Sequence, residues 1–222
     1  MALLLVSLHG KLGEGLSNQM RQTKSMYPNY SIKWWRENNM LTPPVINPYD
    51  FILKKLEWRY QKGAPSLKKC KSFLGDSTEI LPELANKRQR YSLLLTSPPY
   101  YQLTDYHNDQ WLRLWLLGGA DKPTVRGDDN KKRFSSKEKY SQLLLDVFSH
   151  SAELMKRNST IYVRTDAREF TFNTTLEVLT KCFPRHQVRV DNRPYTSKTK
   201  TQTALFGDKS KKPGERDILL YK

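Results

Sequence analysis

The chain has 222 residues, with 38 Lys and Arg against 22 Asp and Glu for a formal charge of +16, a balance that points to a polyanionic partner and away from an average enzyme surface. Its length suits one domain with a full core. Two cysteines, Cys70 and Cys182, neither in a CxxC, exclude a zinc pattern and are expected as small buried hydrophobes in a reducing compartment, and no apolar run approaches a membrane span, so a cytoplasmic, prokaryotic-type protein with no membrane partner is expected.

The opening "MALLLVSLHG" lacks a basic n-region and a cleavage site, which argues against a signal peptide. Residues 2–9 read as the end of a buried helix broken at Gly10, Gly13 and Gly15. From Ser17 to Pro65 the sequence keeps no clean period and is rich in basic and aromatic residues. One helix is expected there, Pro48–Tyr60, capped by Asn47, with Pro48 in its first turn and Phe51, Leu53, Leu56 and Tyr60 on a face. The rest reads as structured loop. Arg21, Lys24, Lys33 and Arg36, beside Trp34 and Trp35, are its candidates for nucleic-acid contact. Residues 1–65 thus form an N-terminal helix and a basic, aromatic segment suited to DNA or partner contacts.

After Pro65, strand and helix signals alternate, the pattern of an α/β sheet. "KKCKSFLGD" reads as a strand ending at Gly75-Asp76, and "STEILPELANK" as a helix capped by Asp76 or Ser77. "YSLLLT" reads as a strand buried on both faces. "DYHNDQWLRLWLLGG" is a helix closed by Gly118-Gly119, with Trp111, Leu112, Trp115 and Leu116 as core packing. A basic loop follows. "SKEKYSQLLLDVFSHSAELMKR" is a long amphipathic helix capped by Ser135 or Ser136 with basic residues at its end. The strand "STIYVRTD", the helix "NTTLEVLTKCF" and the consecutive strands "HQVRVDN" and "RDILLYK" complete the chain. A wound sheet that ends in two consecutive strands is the layout of the methyl-transferring α/β fold.

In "LLLTSPPYY" the apolar strand runs into two prolines, which fix φ and remove both backbone donors, followed by two tyrosines. "TSPPY", Thr96 to Tyr100, resembles the catalytic motif of the amino-methylating DNA methyltransferases, in which Asp, Asn or Ser precedes Pro-Pro and an aromatic. "FLGDSTEILPEL" is similar to the strand and helix that precede that motif, with Asp76 and Ser97 21 residues apart. The resemblance covers roughly Lys69 to Lys222. It implies a class I S-adenosylmethionine-dependent methyltransferase-like sheet, with residues 66–222 as its catalytic half.

The resemblance assigns catalysis to Ser97, Pro98, Pro99 and Tyr100. Ser97 Oγ and the Pro98 carbonyl would accept from an exocyclic base amine, whose lone pair is otherwise conjugated into the ring, and Tyr100 would stack on the flipped-out base. S-adenosylmethionine contacts are implied at Asp76, Ser77 and Thr96. A plain helix cap is as good a local account of Asp76. Tyr101, Arg164, Asp166 and Arg168 fall where they could wall the base pocket, or form a salt-bridged surface loop. Serine in the first motif position favours cytosine N4 over adenine N6, and a non-catalytic subunit that positions DNA in a methyltransferase complex is the alternative from another class.

The family's glycine-rich cofactor loop is missing after a first strand. "HGKLGEG", His9 to Gly15, is the sole glycine-rich candidate, with the wrong spacing. The sheet is therefore expected to be incomplete in this chain, its first strands supplied by a second polypeptide carrying that loop, in a heterodimer of the restriction-modification kind, or by a part of a longer chain that this sequence lacks.

Overall fold

The computed structural model describes residues 28–42, 45–64, 66, 70–87, 89–102, 106–122, 136–193 and 214–222. The chain divides into two compact units, one of residues 1–70 with 105–126, the other of residues 71–104 with 127–222.

The first unit contributes three described helices. α1 spans Pro28–Glu37, where a loop is expected from sequence. Pro28 supplies a preset first-turn φ, and Lys33 and Glu37 pair at 3.7 Å across one turn. The apolar residues do not mark a stripe, because Ser31 is the buried position while Ile32 and Trp35 stay exposed. α2 spans Pro48–Arg59, and its cap is as expected: Asn47 Oδ1 accepts from the Tyr49 amide at 3.0 Å. It buries no residue, and Leu53 and Tyr60 are exposed. α3 spans Tyr106–Leu116; Trp111 is buried but Trp115 is not, against the expectation that both pack in a core. Gly118 has φ +94° and its amide donates to Trp115 O at 2.9 Å. A Cβ at Gly119 would lie 2.8 Å from Leu114 O, so both glycines of the stop are required.

The second unit is a mixed α/β layer built from β1 (Tyr91–Thr96), β2 (Met155–Asp166), β3 (Gln187–Arg193) and β4 (Glu215–Tyr221) in the order β1-β2-β4-β3. β1 and β2 are parallel, while β4 runs antiparallel between β2 and β3. This is the α/β sheet closed by a terminal antiparallel hairpin that the sequence leads one to expect of a methyltransferase-like fold. Two helices cross over: α4 (Lys137–Glu153) between β1 and β2, and α5 (Glu169–Cys182) between β2 and β3. α4 begins at Ser136, whose Oγ accepts from the Lys139 amide at 3.2 Å. It ends earlier than its amphipathic pattern suggests, so Lys156 and Arg157 lie in β2 and not at a helix terminus. α5 starts four residues before the expected Asn173. A further helix, α6, spans Ser77–Ala85, ahead of β1 in the chain, and packs on α4.

The core is one-sided. Tyr140, Leu144 and Phe148 of α4, one turn apart, and Phe172, Val178 and Leu179 of α5 meet Ile161, Val163, Ile218 and Leu220 of the sheet. The opposite face carries Leu93, Leu95, Tyr162 and Leu219, which the ladder registers place side by side. Leu93 and Leu95 are 57% and 68% exposed. β1 is therefore half-buried, not buried on both faces. The strand expected before Asp76 does not form: residues 70–76 have no regular structure, with Phe73 and Leu74 exposed. An extended segment becomes a strand only by completing a ladder, and β1 is an edge of the described sheet. Cys70 is exposed, contrary to expectation, while Cys182 is half-buried with its Sγ 3.5 Å from Ser149 Oγ.

Candidate active site at the carboxyl end of β1

Parallel pairing of β1 with β2 and antiparallel pairing of β2 with β4 bring three segments to one end of the sheet. Thr96 pairs with Val163, and Asp166 with Glu215. Ser97 to Tyr101, Asp166 to Phe170 and Glu215 therefore converge where the strand polarity of an α/β sheet places ligand sites.

The two prolines leave the turn without donors of its own, and it is braced by neighbours. Tyr140 donates from its hydroxyl to Pro99 O at 2.9 Å, and Arg168 Nη2 donates to Tyr101 O at 2.6 Å. Arg168 is itself held by Asp166, through its Nε and through its amide at 3.3 Å. Tyr101, Tyr140 and Phe170 form an aromatic cluster with centroids 4.9 to 5.9 Å apart, and Lys137 Nζ lies 5.0 Å from the Phe170 centroid. Tyr101, a candidate for base contact, is thus half-buried in packing, and Arg168 and Asp166 act on the loop from beneath.

Tyr100 is half-buried and its hydroxyl donates to Glu215 Oε1 at 2.9 Å. Burial pushes the phenol up to about 12; the Ser97 hydrogen bond pulls the other way, and Glu215 and the charge of Asp166 add to the rise. The phenol is neutral at any ordinary pH. Its proton is committed to Glu215, so in the 3.5 Å contact between Ser97 Oγ and Tyr100 Oη the serine is the donor. Ser97, exposed at the tip, then keeps its oxygen lone pairs for an incoming donor.

Arg164 makes a two-pronged pair with Asp217, Nε to Oδ1 at 2.7 Å and Nη2 to Oδ2 at 3.0 Å, and approaches Glu215 Oε2 at 3.7 Å. Asp217 raises the guanidinium above its ordinary value, so it remains a cation. Asp76 caps α6: its Oδ1 accepts from the Thr78 amide at 2.9 Å and from Thr78 Oγ1 at 2.7 Å. Ser77 is the first residue of that helix and Thr96 the last of β1. Lys33 and Arg36 lie on α1 in the other unit. Arg21, Lys24 and the glycine-rich stretch Gly10–Gly15 fall outside the described residues. Among the described residues no cluster of His, Cys, Asp and Glu could hold a metal, and no helix is long and apolar enough to cross a membrane.

Sequence reasoning missed Glu215 and Tyr140. Glu215 was legible in the terminal hairpin, because an antiparallel last strand must begin at the edge where β2 ends. Tyr140 looks like any other apolar position of an amphipathic helix.

Tyr140→Phe tests the bracing. Burial, against a hydrogen bond with Thr175, pushes this phenol up to about 12, and the charge of Asp166 adds to the rise. A folded value above the unfolded one of about 10 means that the contribution to stability is complete below pH 10 and is lost as the pH rises through about 12. Urea unfolding at pH 8 should show a cost of about 1 kcal/mol for the lost hydrogen bond. Between pH 10 and 12 the variant should lose less stability than the parent, and an equal loss would show that Tyr140 is not the titrating group.

No family model matches the sequence, and no curated protein is similar to it. Among solved structures the chain is similar to a "putative sam-dependent methyltransferase from Streptococcus mutans", at 13% identity over 66% of this chain with a TM-score of 0.35. It is also similar to a "putative methyltransferase complexed with SAH", at 14% identity over 66% of this chain with a TM-score of 0.37. The chain spans 30% of the length of each.

Proposed function

We propose that this chain is the catalytic half of an S-adenosylmethionine-dependent DNA methyltransferase acting on an exocyclic base amine, cytosine N4 first and adenine N6 second. The observation that carries the reading is the Ser97-Pro98-Pro99-Tyr100 turn at the carboxyl end of β1, fixed by Tyr140, Arg168 and Glu215 with Ser97 left at the exposed tip. Ser97 Oγ and the Pro98 carbonyl accept from the two amine hydrogens, which turns the nitrogen lone pair out of conjugation with the ring. The ring of Tyr100, pinned through its hydroxyl, offers a face to the extruded base at no further ordering cost, a contact of about 1–3 kcal/mol. The +16 charge suits a phosphate backbone.

When bound, S-adenosylmethionine supplies an electrophilic methyl group. Asp76, Ser77 and Thr96 are the residues of this chain that would hold it. The fit is partial, since Asp76 Oδ1 already caps α6. The missing contacts are assigned to a second polypeptide with the glycine-rich loop. The open edge of β1, with Leu93, Leu95 and Leu74 exposed, supports such a neighbour.

The test is to incubate this chain with labelled cofactor and DNA, alone and with a candidate partner half, then digest the DNA and identify the nucleosides by mass. N4-methylcytosine formed only in the mixture is the expected result. N6-methyladenine as sole product would overturn the base assignment, and full activity of the chain alone would overturn the need for a partner.

A further inference from the structure

A second basic feature lies at the other end of the same sheet. β2 is 12 residues long, so at about 3.3 Å per residue its ends are roughly 35 Å apart. At its amino end, beside the end of β4 and the α5–β3 turn, is an open cavity of about 340 Å³ lined by the exposed Lys156, Arg157, Arg185 and Lys222 together with His186, Met155 and Phe183. No acidic side chain lines it. None of the four Lys and Arg forms an ion pair with another described residue. The wall therefore carries an excess of positive charge.

His186 makes the cavity more than a patch of solvated cations. Its Nε2 lies 3.2 Å from Ser159 Oγ, while Nδ1 is buried with no hydrogen-bond partner. Burial and the nearby Lys222 hold the imidazole below its usual value, against a hydrogen bond that the ring donates to the Ser159 backbone carbonyl. Four like charges around one concavity repel one another, and an anion seated among them would relieve that repulsion.

We infer that this cavity is an anion site for a small phosphate-bearing ligand, separate from the base site. Its size is at the lower end of that of small-molecule sites, which favours a phosphate monoester or nucleotide over a length of duplex. A dianion there would pair with Arg157 and Arg185 and would favour a proton on His186, since it offsets the field of the surrounding cations, Lys222 among them.

The experiment titrates the full chain with inorganic phosphate and with adenosine 5′-monophosphate at constant ionic strength, following the His186 ring protons by NMR. Saturable binding is expected, with the His186 pKa rising as the site fills. Arg157→Gln and, as a turn substitution that spares the strand, Arg185→Gln should each weaken binding by about tenfold or more. Lys122→Gln, outside the cavity, should not. Phosphate binding without the monophosphate would reduce the ligand to the free anion and keep the site. The inference is overturned if chloride at matched ionic strength moves His186 equally, if both arginine variants bind normally, or if only DNA shifts the signal. Methyl transfer is not read in any arm, so failure here leaves the proposed catalytic role standing.

Discussion

Ser97→Ala is expected to lower methyl transfer by about 10²–10³-fold in the active assembly, the range found when one preorganised polar group is removed from a reacting centre. Ser97 is exposed, and its one described contact is the 3.5 Å approach to Tyr100, so the fold should lose no more than about 0.5 kcal/mol. Duplex affinity should also hold, because phosphate contacts dominate it. Single-turnover transfer and filter binding on the same preparations separate the two quantities. A DNA-positioning subunit without chemistry predicts no change in either, and unchanged transfer in Ser97→Ala would establish that alternative. Tyr100 supplies the companion measurement. Tyr100→Phe keeps the ring and loses the tie to Glu215, whereas Tyr100→Ala loses both, so a gap between them measures the stacking face, about 5- to 150-fold for a contact of 1–3 kcal/mol.

Which parts of this molecule were legible in sequence follows from how local each signal is. Asn47 before Pro48, Ser136 before an amphipathic run and Gly118-Gly119 after one are terminus signals that need no tertiary partner, and all three act as expected. The terminal hairpin was legible because two strand patterns follow one another without a helix between them. The "KKCKSFLGD" segment failed for the opposite reason: its pattern suits a strand, but strand formation depends on a neighbouring ladder that its described residues, 70–76, do not find. β1 went wrong in the same way. "YSLLLT" is apolar at consecutive positions, as a strand covered on both faces would be, yet only the Leu94 side meets the core. At the candidate site, the proline turn could be read directly, while its supports come from 41 to 115 residues away, at Tyr140, Arg168 and Glu215. Long-range hydrogen bonds leave no spacing signature. Asp166 and Arg168 were visible as charges at a strand end, but their inward role in holding the Tyr101 carbonyl required the fold.

Phe148→Ala is expected to cost about 3–5 kcal/mol, the usual range for emptying a buried aromatic position. Phe148 is 1% exposed and sits between Leu144 and Ser151 on the face of α4 that meets the sheet. In most α/β domains such a loss would be shared with helices on the second face of the sheet. Here the described helices of this unit that join the core, α4 and α5, both pack on the Ile161 and Val163 side, while Leu93 and Leu95 on the other side remain exposed. A domain with a total stability of about 5–15 kcal/mol therefore has little to replace the lost contacts. The same helix carries Tyr140, two turns before Phe148, whose hydroxyl holds Pro99 O. Packing of α4 and posture of the proline turn are thus one mechanical unit, and methyl transfer should fail at the lowered melting temperature and not below it. Phe148→Leu, which keeps most of the volume, should recover all but about 1.5 kcal/mol. Urea unfolding followed by far-ultraviolet circular dichroism measures each cost. A loss below about 1 kcal/mol for Phe148→Ala would mean that α4 is not the keystone of the core, and that the uncovered face of the sheet is stabilised by contacts outside this unit.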